Sequence, residues 1–194
     1  MRLIFLFTTI LTFLSGYSQN KIVLSEGTLL INDKQISNPT NKAMIDDAIG
    51  AKGKYRFLIR THEQGKRLEN DTRHHMLIYK EEAVSVSLSA PGYQVEEVLI
   101  QMTIEPKHDL PNRLRNKKHA LYQGVVQIGD AKLTPELTYD NIDRLFNPAD
   151  IIMKGNRVVN KKTVPYAIIK QNDWLIELMF SYESNLIKFI SVKH

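Results

Sequence analysis

Along Val84-Ser85-Val86-Ser87-Leu88-Ser89, apolar and hydroxyl side chains alternate with period two, the spacing of a strand with one buried face. A second strand, Val95–Ile104, follows the turn pair Pro91-Gly92. Near the end of the chain Trp174, Ile176, Leu178 and Phe180 alternate with Leu175, Glu177, Met179 and Ser181. Asn185–Val192 then follows a turn at Tyr182-Glu183-Ser184. The period lengthens in two places. Met44, Ile45, Ala48 and Ile49 form one helical stripe, and Ile142, Leu145 and Phe146 form another. Asn41 and Thr138 suit the N-caps of these two helices, while Gly50 and Asn147 suit a left-handed C-terminal stop, with Pro148 closing the second. Asn32-Asp33 follows Leu29–Ile31, and Gly129-Asp130 follows Val125–Ile128. Both dipeptides tolerate the positive φ of a tight hairpin turn.

These signals recur at a fixed distance. Residues 27–50 align without a gap on residues 124–147 at an offset of 97. Gly27/Gly124, Ile31/Ile128, Asp33/Asp130, Ile45/Ile142 and Asp46/Asp143 are identical. Hairpin, cap, apolar stripe and stop all coincide, and each copy is followed by alternating strands. The predicted fold class is α+β, a tandem duplication of a β-hairpin–helix–antiparallel meander unit with the helix packed on one sheet face. The expected organisation is a signal peptide at 1–18, a first repeat at 19–105, a connector at 106–120 and a second repeat at 121–194. One continuous core and two units facing across a cleft both satisfy this pattern.

In this arrangement the chain resembles the uncharacterised exported two-repeat α+β proteins of Gram-negative envelopes. Its repeat architecture is similar to that of the β-lactamase inhibitory proteins and of the small lipoprotein of the outer-membrane barrel-assembly complex. The resemblance covers residues 22–104 and 121–192 and rests on the hairpin and capping signals above. It implies helices packed on short antiparallel meanders and a role in binding other proteins. No functional residue is carried over by it.

The first residues read as an address. Arg2 supplies a positive start, Leu3–Leu14 is apolar or Thr, and Gly16 and Ser18 fit the −3 and −1 positions of a cleavage site. The stretch is shorter than the ~20 residues of a typical spanning helix. The expected location is the periplasm or cell surface of a Gram-negative bacterium. There is no cysteine, which excludes disulfides, Cys-ligated zinc and thiol catalysis, and suits a bacterial envelope better than a disulfide-rich secreted domain.

Of 26 Lys and Arg against 21 Asp and Glu, the excess is concentrated in one segment. Residues 21–105 carry 11 basic and 12 acidic side chains, and residues 120–194 carry 9 and 8. Pro106–His119 holds Lys107, Arg113, Arg115, Lys117 and Lys118 against Asp109 alone. Those five residues are the candidate partner-binding site, a docking strip for an acidic protein surface, a polyanionic glycan or lipid headgroups. A solvated linker accounts for the same charges. Nucleic acid is a poor partner, because export removes the protein from it and no aromatic residue interleaves with the charges.

Catalytic patterns are weak. His74 and His75 have His62, Glu63, Glu81 and Glu82 nearby, but adjacent strand residues point to opposite faces and no HExxH spacing occurs. Ser85, Ser87 and Ser89 lack a nucleophile elbow, and their alternation is that of a sheet's polar face. Asp46 and Asp143 recur at matched helix positions, which duplication explains without a paired-carboxylate site. Gly50-Ala51-Lys52-Gly53-Lys54 reads as a helix exit rather than a phosphate loop. No catalytic residue, metal ligand or cofactor is assigned. The expected function is an exported, non-enzymatic binding or interaction protein; an envelope glycan- or peptide-acting hydrolase is the alternative. A His/carboxylate cleft between the repeats would favour the enzyme, and a broad sheet of apolar residues and Tyr without such a cleft would favour binding.

Overall fold

The computed structural model describes residues 20–63, 66–89, 94–103, 120–159 and 161–194, with the backbone alone between residues 57 and 74. The expected leader and the basic connector lie outside the described residues. The elements of the first half are β1 (Lys21–Ser25), β2 (Thr28–Ile31), β3 (Lys34–Gln35), α1 (Lys42–Ile49), β4 (Lys54–Glu63), β5 (Lys66–Tyr79), β6 (Val84–Ser89) and β7 (Val95–Gln101). The second half has β8 (Val125–Ile128), β9 (Ala131–Leu133), a 3-10 turn (Tyr139–Asn141) running into α2 (Ile142–Leu145), β10 (Ile151–Val159), β11 (Lys162–Gln171), β12 (Trp174–Phe180) and β13 (Ile187–Lys193). The class is mixed α and β, with strand far outweighing helix. Among the described residues no helix is long and apolar enough to cross a membrane.

Two sheets form. The smaller runs β3-β2-β1-β8-β9, and the larger runs β10-β11-β12-β13-β7-β6-β5-β4. The larger one is two antiparallel meanders joined where β13 pairs with β7, Ile190 opposite Ile100 and Val192 opposite Val98. Register decides what each face holds, because side chains on paired residues share a face. In the small sheet Ile22 pairs with Ile31 and Val126, and Leu24 with Leu29 and Ile128. In the large sheet Val86 faces Val98 and Leu77, and Leu178 faces Ala167 and Ile190. All of these are buried in one apolar cluster that also takes Ile45, Ala48 and Ile49 of α1 and Ile142 of α2. The two sheets therefore enclose a core drawn from both halves, with the helices contributing to it. Trp174 fastens the layers: it is buried, and its indole N–H donates to Gly27 O at 2.9 Å.

The local signals mostly act as their chemistry requires. Asn32 and Asp33 both take positive φ, 51° and 62°, and Gly129 takes 56° at the aligned turn. The Asn41 side chain accepts from Met44 N at 3.0 Å, and Gly50 adopts φ 76° while its N–H and that of Ala51 return to Asp46 O. The second helix departs from expectation. Thr138 makes no side-chain cap, and only four residues follow the 3-10 turn as α-helix. Asn147 is not left-handed; its Oδ1 instead accepts from Ala149 N at 3.0 Å. Pro148 gives the physical reason, since a residue before proline is pushed towards extended conformations. β7 also ends earlier than expected, at Gln101, where Met102 N turns to donate to Lys188 O. β1 carried no signal in the turn-based reading, and it fills the place between β2 and β8.

Candidate functional site

Because the core occupies one face of the eight-stranded sheet, the other face carries the complementary set of residues. Register assigns to it Met153 and Arg157 of β10, and Tyr166 and Ile168 of β11. It assigns likewise Leu175, Glu177 and Met179 of β12, Phe189, Ser191 and Lys193 of β13, and Glu97 and Leu99 of β7. Ser85 and Ser87 of β6 follow, then Met76 and Ile78 of β5. Most are half-buried, and Met153 and Leu175 are 47% and 43% exposed. A sheet face with this many Met, Leu, Ile and aromatic positions is unusual for surface that meets water alone.

A polar network crosses its middle. Lys193 Nζ donates to Glu177 Oε2 at 3.0 Å and lies 3.8 Å from Glu97 Oε1. Glu97 also accepts from the Ser191 hydroxyl. Arg157 makes an ion pair with Glu177, its guanidinium standing 5.4 Å from the Tyr166 ring centroid and 3.8 Å from Met179 Sδ. The Arg157–Glu177 contact has the distance of an ion pair without the angles of a hydrogen bond, since Glu177 Oε1 and Arg157 Nε have no hydrogen-bond partner among the described residues. Gln101 Nε2, buried beside Phe189, likewise has none. The two carboxylates are therefore held by cations and a hydroxyl within an apolar surround.

The residues singled out from sequence are scattered. Lys107, Arg113, Arg115, Lys117 and Lys118 lie outside the described residues, as do the side chains of His62, Glu63 and His74. His75 packs its ring 5.3 Å from that of Tyr55. Among the described residues no group of three His, Asp or Glu is placed to hold a metal. Ser85, Ser87 and Ser89 alternate with buried Val84, Val86 and Leu88, so they belong to the outer face. Asp46 and Asp143 serve local structure with different partners. Asp46 holds Lys42, Gly53 N and Tyr79, whereas Asp143 pairs with Lys154 across from β10. The cavity lined by Ile22, Ile31, Asn32, Ile49 and Tyr122 has a volume of about 10 Å³, room for no more than a water. Sequence reasoning singled out the Leu175, Glu177, Met179 series and set Phe189 in the same hairpin, but missed Tyr166, Ile168 and Leu99 as its neighbours, which only strand order brings together.

No family model, curated protein or solved structure matches the chain.

Proposed function

We propose that this chain is an exported binding protein of a Gram-negative envelope, built by tandem duplication, which recognises its partner with the outer face of the eight-stranded sheet. The observation that carries the reading is the broad surface of Met153, Tyr166, Ile168, Leu175, Met179, Phe189 and Leu99 around the Lys193–Glu177–Arg157 network. Large apolar and aromatic side chains around a few fixed polar groups are the composition of recognition surfaces. The carboxylates of that face are occupied by Lys193, Arg157 and Ser191, which favours recognition over the hydrolase alternative.

Duplication draws support from the same offset of 97 residues. It carries β2 onto β8, α1 onto the 3-10 turn with α2, and the start of β4 onto the start of β10. The two meanders meet at β7 and β13, and β1 lies between β2 and β8. The resemblance of the hairpin and capping signals to those of envelope proteins that bind other proteins implies the same kind of role. The basic strip of Lys107, Arg113, Arg115, Lys117 and Lys118 adds an electrostatic contact to an acidic partner.

The test is capture from envelope extract with the full chain as bait, beside two variants. One carries M153S, Y166S and L175S; the other carries Ser at the five basic positions. A dominant protein retained by the wild type and lost by the sheet variant is the expected result. Loss only in the basic variant, abolished in wild type by salt, moves the site to the connector. Equal retention by all three removes both surfaces from consideration.

A further inference from the structure

We propose that the partner met by the outer face of the eight-stranded sheet is an acidic protein surface, one that presents carboxylates on both sides of an apolar centre. The inference rests on the reading of that face as the binding surface and adds the chemistry of its occupant. Among the side chains the structure describes, sixteen Lys and Arg balance sixteen Asp and Glu. They are not evenly spread. Register places Lys54, Arg56, Arg157, Lys162, Lys170 and Lys193 on the outer face, with only Glu97 and Glu177 of the described carboxylates. The face thus carries a net +4 and the other described side chains a net −4. Lys188 and Glu96, at two of the register shifts, are one of each sign and leave that balance unchanged.

The uncompensated charges sit towards the ends of the face. Arg157 and Lys193 are held in the central network by Glu177 and Glu97. Lys54, Arg56 and Lys170 are exposed and make no ion pair with any described residue. One cross-strand row joins the two ends: from Lys170 it passes Leu175, the Lys193–Glu97 pair, Ser87 and Met76 to reach Arg56. Six strand spacings of about 4.8 Å separate those cations, about 29 Å in all. The complementary surface carries carboxylates about that far apart with apolar side chains between them, the anatomy of a protein interface with an apolar core and a charged rim. A polyanionic glycan offers charge but nothing for the apolar middle. A bilayer offers both, but it is a plane. Neighbouring strands rotate by about 20°, so β11 and β4 differ by roughly 120°, and one plane does not meet Lys170 and Arg56 together. A protein surface can follow that twist.

The probe is a fluorescent random copolymer of glutamate and tyrosine. It is set beside polyglutamate, which has the charge without the apolar groups, and beside phosphatidylcholine vesicles containing phosphatidylglycerol. The full-length wild type and the chain with Ser at the five basic connector positions are each compared with versions that also carry K54S, R56S and K170S. These three side chains are exposed, and an unchanged thermal unfolding midpoint checks that the fold is kept. The expected result is copolymer binding at least about tenfold tighter than polyglutamate binding, which the triple substitution weakens by at least about tenfold in both chains. No copolymer binding up to about 500 µM overturns the proposal, as does binding unmoved by the triple substitution, lost with the connector charges alone, or matched by polyglutamate. Vesicles that compete the copolymer away and need the same three cations overturn it in favour of lipid. Capture from envelope extract separates this inference from the reading beneath it. A protein lost with M153S, Y166S and L175S but kept by K54S, R56S and K170S leaves the face as the site and overturns its acidic occupant. A protein kept by both variants overturns the reading itself.

Discussion

The Tyr79 hydroxyl donates to Asp46 Oδ1 at 2.8 Å, tying the end of β5 to the middle of α1 across 33 residues of chain. The same carboxylate accepts from Gly53 N at 3.0 Å and from Lys42. One acidic side chain thus fixes the helix, its exit and the sheet beneath it. Tyr79 is fully buried and its ring fills the space a side chain at residue 53 would need: a Cβ there would lie 2.5 Å from the ring.

Y79F removes this bond while keeping the ring. The expected cost is about 1.5–3 kcal/mol, the range for a hydrogen bond to a charged group, read by urea unfolding with an unchanged slope. A loss below about 0.5 kcal/mol would show that Lys42 and Gly53 alone suffice to hold Asp46.

Acid and alkali should act through identifiable groups. Burial pushes the Asp46 carboxyl up, but hydrogen bonds from Lys42, Gly53 and Tyr79 outweigh it, and the net shift is downward. A folded-state value below the unfolded one means the stabilisation is present above about pH 4 and is lost as pH falls through the folded value. D46N should therefore be less stable than wild type at neutral pH, with the gap narrowing on acidification. A constant gap between pH 7 and pH 2, measured by denaturant titration, would contradict this.

At the other extreme, burial raises the Tyr79 and Tyr122 phenols well above the usual range, helped at Tyr79 by the bond to Asp46. A raised value means their contribution is complete below about pH 10 and lost as pH rises through the folded value. In a tyrosinate absorbance titration the Tyr79 and Tyr122 phenols should ionise only as the fold opens. Ionisation of all eight tyrosines before any loss of circular dichroism would refute it.

Asn32 is a second structural centre. Its Oδ1 accepts from Lys21 N at 2.8 Å, while Nδ2 donates to Ala48 O at 2.9 Å and to Asn20 Oδ1 at 3.2 Å, all from a backbone with φ 51°. N32A loses both the polar contacts and the tolerance of left-handed backbone, at an expected cost of about 2–4 kcal/mol. N32G restores the backbone freedom alone and should recover about 1 kcal/mol of that loss.

Gly27 and Gly124 are identical at aligned positions for different reasons. Gly27 has φ 78°, and a Cβ there would meet only the Asn172 side chain, at an ordinary van der Waals distance of 3.7 Å. At Gly124 a Cβ would fall 1.8 Å from Asn20 O, the carbonyl that accepts from Val125 N beside the β1–β8 pairing. G27A should cost about 1 kcal/mol. G124A forces backbone apart and should cost several-fold more, with thermal unfolding of both variants as the check.

Much of the fold was legible from short-range chemistry. The β2–β3 and β8–β9 turns, the Asn41 cap, the Gly50 stop and the alternation of Trp174, Ile176, Leu178 and Phe180 each follow from φ preference or from a period of two. The second helix was legible only in position, because Pro148 and the missing Thr138 cap bond leave a 3-10 turn and a single turn of α-helix. The candidate face was less legible still. Strand alternation marks Met179 as lying opposite the core side and the last hairpin sets Phe189 beside it, but only the long-range pairing of β13 with β7 sets Gln101 beyond.

The sequence by itself determined where β6, β7, β12, β13, the two hairpin turns and the first helix fall, since these depend on neighbours within a few residues; β1, β4, β5, β10 and β11 carried no comparable signal. Tertiary structure decided that β7 pairs with β13, that β1 lies between β2 and β8, and that β10 ends the sheet. Those choices join residues up to about a hundred positions apart, Lys21 with Val125 among them. Local propensity carries no information about such pairings; they are fixed by burying the apolar faces of both sheets in one core.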